Sequence, residues 1–154
     1  MTETLKELYV ARGHNTGGRV GRATALDGFP DLQMDRPTEL GGPEDQDGVT
    51  NPEELFALGY GACFLSALSL VARSQKISAK AFHIDSAVSL VQDEGGFSVA
   101  VELHGELPGV DDDRAAELMR TAHTVCPYSR ATRGNIPVKL FVGDREVDGA
   151  HASA

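Results

Sequence analysis

The chain has 154 residues, 41% of them hydrophobic, which is enough for a packed core without disulfide staples; its two cysteines are too few for a secreted disulfide scaffold. A formal net charge of -9 opposes binding to phosphate backbones and anionic lipid, and no basic stripe interleaves with aromatics, so neither a nucleic-acid nor a membrane partner is expected. The start, MTETLKELYVARG, has no basic segment followed by an apolar run, so no secretory signal is expected and the chain is read as cytoplasmic, where a disulfide is catalytic or redox-sensing rather than structural.

In chain order, Leu5–Arg12 and Arg19–Ala25 are short and partly alternating, with HNTGG between them; they predict an N-terminal β-hairpin, and Leu32–Met34 a third short strand. Gly41–Gly48 (GGPEDQDG) reads as an acidic loop. A helix follows from Pro52 to about Arg73. Asn51 suits its N-cap, Pro52 its first position, and Glu53 and Glu54 put negative charge at its positive end. Its Leu55–Ala72 stretch is 18 residues without a charge, the lower limit for a membrane span. Glycines and serines dilute it and no basic flank or aromatic belt supports it, so it is expected to be a helix buried in a soluble core.

Ala81–Val91 alternates, with Phe82, Ile84, Val88 and Leu90 on one face, and Phe97, Val99, Val101 and Leu103 repeat the pattern after the QDEGG turn. This predicts two antiparallel strands covered on one face. Asp111–Asp113 open a second helix with an apolar stripe of Leu118, Met119, Ala122 and Val125, and Pro137 precedes a final strand, Val138–Val142. The expected fold is α+β: one domain over residues 1–154, antiparallel sheets around a long buried helix, and a frayed tail over residues 143–154.

The two thiols have very different settings. Cys63 lies inside the apolar helix, where most cysteines are inert small hydrophobes with a raised pKa. To act as a nucleophile it needs a cation, and Leu55–Ala72 contains none. Cys126 stands where Pro127 ends the second helix, which places its thiol at the helix edge, the access and mobility that a second, disulfide-forming thiol needs. His123 and Cys126 have a spacing that metal sites use, but two ligands do not complete a tetrahedron, so no metal is expected. There is no C-x-x-C and no P-x-x-x-T-x-x-C before either cysteine. Arg19, in TGGRVGR, reads on its own as part of a hairpin turn, and Glu53 as a residue that complements the helix dipole.

The stretches TGGRVGR, TNPEELFALGYGACF and VCPYSRATRGN, in this order and spacing, closely resemble the organic hydroperoxide resistance (Ohr) proteins of the OsmC/Ohr superfamily, from about residue 8 to residue 142. The resemblance implies that Cys63 is the peroxidatic cysteine and Cys126 the resolving one. It implies that Arg19 holds the thiolate and orients the peroxide, and that Glu53 fixes that arginine. It also implies an intertwined homodimer with two sites at its interface, no bound cofactor, and a dithiol co-substrate, dihydrolipoamide on a lipoylated protein. Arg130 departs from the pattern, standing where asparagine is expected after CPYS.

Independently, Glu53 and Cys63 are ten positions apart, ~15 Å of rise on one straight helix, which a bend at Gly59 and Gly61 does not close. The expectation is a composite site in which a partner subunit contributes Glu53 or Arg19. Three rival readings remain: an OsmC-type peroxidase of different substrate range, a non-enzymatic redox sensor, and a structural dimer with two inert thiols.

Overall fold

In the computed structural model of the chain, which describes residues 5–149, the N-terminal hairpin is set by glycine. Gly17 and Gly18 have φ of 69° and 63°, left-handed values that side chains resist. A Cβ on Gly21 would lie 1.9 Å from the Thr16 carbonyl oxygen. The turn is therefore residues 17–20, and the strands on either side are β1 (Gly13–Thr16) and β2 (Gly21–Ala25), pairing antiparallel with Thr16 opposite Arg22. This corrects the expected hairpin: His14, Asn15 and Thr16 are strand rather than turn, and residues 5–12 form no strand, with Leu5, Leu8 and Tyr9 exposed. Partial alternation in residues 5–12 lacked a pairing partner, whereas the two left-handed glycines dictate where the chain reverses.

β3 (Asp31–Met34) pairs antiparallel with β2, and the Arg22 guanidinium donates two 2.7 Å bonds to the Asp31 carboxylate across that pair. β4 (Val49–Thr50) adds to β3 in parallel, giving a sheet of order β1-β2-β3-β4. Residues 41–48 are a loop, as expected. The chain divides into two compact units at Pro52/Glu53, and this sheet belongs to the first.

The second unit begins in α1 (Pro52–Ser74), with Glu53 and Glu54 in its first turn and Arg73 in its last. β5 (His83–Asp93) and β6 (Gly96–Glu106) form a hairpin in which all eleven residues of each strand pair. α2 (Asp112–Val125) starts at the N-cap Asp111, whose carboxylate accepts the Arg114 N–H at 3.0 Å. A short α3 (Pro127–Thr132) follows, then β7 (Val138–Val142) parallel to β6 and β8 (Arg145–Glu146) antiparallel to β7. The fold is α+β, with one parallel pair in each otherwise antiparallel sheet.

The inner face of the second sheet carries Val101, Leu103, Val138 and Leu140. They share one buried cluster with Tyr60, Phe64 and Leu68 of α1 and with Leu118, Met119 and Ala122 of α2. α1 is long and apolar enough to cross a bilayer by length and composition, but this buried face is that of a core helix. Phe97 keeps the predicted alternation, yet it lies at the hairpin end beyond the helices' cover and is exposed. Val125, expected in the apolar stripe of α2, is 45% exposed; Cys126, four residues after Ala122, takes the buried place. Of the expected tail, Arg145–Glu146 pair with β7 and Val147 is buried, while residues 150–154 lie outside the described residues.

Candidate active site

Cys63 and Cys126 meet, although 63 positions separate them in sequence: their sulfurs stand 3.6 Å apart in hydrogen-bond contact, and both are free thiols. A disulfide needs about 2.05 Å between sulfurs, so closure requires about 1.5 Å of approach. The exposures run opposite to expectation. Cys126 is fully buried, not at an accessible edge, and Cys63 is the half-buried thiol, reachable from outside. The reason is local. Pro127 holds the preceding residue extended, and Cys126 has φ −62° and ψ 125°. Its side chain thereby turns inward under α1 instead of continuing along α2 into solvent.

Four influences act on the Cys63 sulfur. Burial is the largest and pushes its pKa up; the backbone N–H of Tyr128 pulls it down; hydrogen bonding and charge at Cys126 push it up again. The net direction is upward, so these neighbours favour the thiol over the thiolate. The Tyr128 N–H is available because Tyr128 is the second residue of α3, where N–H groups have no partner inside the helix.

The glycines of α1 serve close approach, not bending. A Cβ on Gly59 would come within 3.2 Å of the Tyr128 hydroxyl, and one on Gly61 within 3.0 Å of Ser86 Oγ, which itself donates to the Ala57 carbonyl at 2.7 Å. Gly59 thus lets the Tyr128 ring lie against α1, in an aromatic group with Tyr60 at 5.7 Å and Phe56 at 6.3 Å.

A second feature went unread in the sequence. Tyr60, one turn before Cys63, places its hydroxyl 3.0 Å from both Ser129 Oγ and Thr132 Oγ1 of α3. His123 Nδ1 bonds Ser129 Oγ at 2.8 Å, and the Arg133 guanidinium donates to the His123 carbonyl. All four side chains from Tyr60 to His123 are buried, and burial raises the Tyr60 pKa. His123, weighed above only as half of a metal pair, is bound to a serine. The signal was present: in CPYSRAT, Ser129 and Thr132 share one face of any helix begun at Pro127.

Glu53 stands in the first turn of α1, ten positions before Cys63 on one continuous helix, ~15 Å away along its axis. Arg19 occupies the β1–β2 turn of the first unit and is half-buried. Arg130 is exposed on α3 and touches none of the hydroxyls above.

Residues 44–141 match the family model for OsmC-like protein. The chain is 48% identical to the organic hydroperoxide resistance protein of Xanthomonas axonopodis pv. citri, over 91% of this chain and 98% of that one. It is 45% identical to organic hydroperoxide resistance protein OhrB of Bacillus subtilis, over 86% and 96%. A crystal structure of an organic hydroperoxide resistance protein from Elizabethkingia anophelis superposes with a TM-score of 0.83 at 46% identity, covering 90% of this chain and 99% of that one.

Proposed function

We propose that this chain, which belongs to the OsmC-like family and within it to the organic hydroperoxide resistance proteins, is a cytoplasmic cysteine-based peroxidase that reduces organic hydroperoxides to alcohols. The observation that carries the proposal is the facing pair Cys63 and Cys126, one half-buried and reachable, one sealed, 3.6 Å apart.

In this reading the Cys63 thiolate attacks the distal oxygen of ROOH. The O–O bond breaks, ROH leaves with a proton, and Cys63 becomes a sulfenic acid. The Cys126 thiol condenses with it, forming the Cys63–Cys126 disulfide and releasing water. An external dithiol restores both thiols by exchange; the resemblance to Ohr proteins assigns that task to a lipoyl group carried on a partner protein. No bound cofactor takes part.

Fast attack requires the thiolate, and the burial that raises the Cys63 pKa makes a cation a requirement. Arg19 is the residue that the resemblance assigns to it, with Glu53 orienting the guanidinium through a bidentate pair. Arg19 also stabilises charge on the departing alkoxide. Because Glu53 and Cys63 are ten positions apart on one uninterrupted helix, the site is composite in a homodimer, with Glu53 or Arg19 supplied by the second subunit. The stripe of α1 left uncovered supports an apolar partner surface: Leu58 is 69% and Leu70 55% exposed. The apolar surroundings of Cys63 favour alkyl and fatty-acid hydroperoxides over hydrogen peroxide.

The test is free-thiol count and peroxide loss after one equivalent of tert-butyl hydroperoxide. Wild type is expected to lose both thiols to one disulfide, Cys63→Ser to consume nothing, and Cys126→Ser to stop at the sulfenic acid. Retention of both thiols in wild type would reject the reading. Retained activity in a protein that is monomeric at micromolar concentration would reject the composite site.

A further inference from the structure

The buried hydroxyls behind the thiols form a chain with one direction. Thr132 Oγ1 donates to the Ser129 carbonyl at 3.2 Å, so it accepts from the Tyr60 hydroxyl. With its single proton committed to Thr132, Tyr60 accepts from Ser129 Oγ, and Ser129 in turn accepts from His123 Nδ1–H. Every donor in the run from His123 to the Ser129 carbonyl is then used once. The hydroxyl of one α1 residue thereby holds two side chains of α3 that lie three residues apart. The two sulfurs stand at adjacent places on the same two elements. Cys63 follows Tyr60 by three residues on α1, and Cys126 is the N-cap of α3, three residues before Ser129.

We propose that Tyr60 is a positioning residue for disulfide formation: by tethering Ser129 and Thr132 it fixes α3 so that Cys126 keeps facing Cys63 while Cys63 is oxidised. The proposal rests on the two-cysteine reading above. Its chemistry is a competition at one atom. The Cys63 sulfenic acid condenses with the Cys126 thiol to give the disulfide and water, or a second hydroperoxide molecule oxidises it to the sulfinic acid, releasing the alcohol. The first branch depends on how much of the time the Cys126 sulfur stays in place; the second does not.

Replacing Tyr60 by phenylalanine keeps the ring but takes one partner from each of two buried hydroxyls: the Ser129 proton loses its acceptor and Thr132 Oγ1 loses its donor. In the dithiol and sulfenic forms α3 relieves that by shifting. In the disulfide form it cannot, because the bond pins its N-cap. The loss therefore weighs more on the disulfide form than on the dithiol form, and the pair becomes harder to oxidise. A role in stability alone would weigh equally on both forms and leave the redox equilibrium where it was.

The experiment compares wild type, Tyr60→Phe and the near-isosteric Thr132→Val. Each protein is equilibrated in graded glutathione and dithiothreitol redox buffers, and the Cys63–Cys126 disulfide is quantified by alkylation and mass spectrometry. Each is also treated with cumene hydroperoxide, and the ratio of sulfinic acid at Cys63 to disulfide is measured. Circular dichroism and thermal melts of both redox forms accompany the measurements. For Tyr60→Phe, a tenfold smaller equilibrium constant for the disulfide, about 30 mV, and a tenfold higher sulfinic-to-disulfide ratio are expected. Thr132→Val shifts both the same way by a smaller factor and carries the test if Tyr60→Phe does not fold. Folded variants within twofold of wild type on both readouts would overturn the proposal, as would melts lowered equally in both forms with an unchanged redox equilibrium. If wild type forms the disulfide in the buffers yet ignores the hydroperoxide, the peroxidase reading fails and the redox equilibrium alone judges Tyr60. If wild type forms no disulfide under any condition, both fall.

Discussion

Oxidation is expected to stabilise this chain strongly, and the size of the effect follows from where the sulfurs sit. A Cys63–Cys126 bond would close a loop of 63 positions. In the chain-entropy description such a crosslink removes about 4 kcal/mol of freedom from the unfolded state. Against this stands the native-state cost of drawing together two sulfurs that start 3.6 Å apart. About 1.5 Å of movement spread over two side chains costs about 1–2 kcal/mol if rotamers alone absorb it. The net gain is then about 2–3 kcal/mol, or a rise of about 1–1.5 M in the urea midpoint for a slope of about 2 kcal/mol/M. The assay is urea unfolding of the reduced protein and of the protein oxidised with one equivalent of hydroperoxide, at one fixed protein concentration, with Cys126→Ser as control. The control midpoint should not move on treatment. An oxidised midpoint equal to or below the reduced one would refute the reasoning. It would mean that closure strains α3 as much as it restricts the unfolded chain, and that the pair is near but not poised.

Two further outcomes are specific. The pH profile of iodoacetamide reaction at Cys63 should have its midpoint moved down in Cys126→Ala, because two upward influences vanish while the Tyr128 N–H remains. If the proposed contact from Arg19 exists, Arg19→Ala moves the midpoint up, since removing a cation disfavours the thiolate; an unmoved midpoint would remove Arg19 from the site. Asp111→Ala deletes the side chain that caps α2 through Arg114 and should cost about 1 kcal/mol, a loss of about 2–4 °C in Tm. An unchanged Tm would show that solvent replaces that bond at no cost.

What the sequence made legible was whatever depended on local pattern. The β5–β6 hairpin could be read because strict alternation over two runs leaves one register that buries Val101 and Leu103. α1 could be read because Pro52, two glutamates and an unbroken apolar run agree. The first hairpin was misplaced because its register is set by left-handed glycines, not by hydrophobic rhythm. α3 was missed because six residues after a proline carry no periodicity of their own. In the candidate site, the pairing of Cys63 with Cys126 came from resemblance. Their order of exposure was inverted, because burial at a helix end depends on where the chain turns next, and periodicity does not encode that.

That turn explains much of the site at once. Pro127 biases Cys126 to an extended backbone and supplies the pre-set φ of a first helical residue. Ending α2 there buries the Cys126 side chain, while starting α3 there leaves the Tyr128 N–H without a helical partner and aimed at Cys63. One turn on, the same start brings Ser129 and Thr132 to the Tyr60 hydroxyl. A sulfur in an apolar setting is disfavoured as a thiolate, and a donor held in place at it is one of the few ways to offset that without filling the space a substrate needs. The helix that supplies this donor also carries the second thiol at its cap. Whatever fixes α3 therefore acts on both the charge state of Cys63 and the reach of Cys126, and that is why a tyrosine one turn away bears on the chemistry of two cysteines.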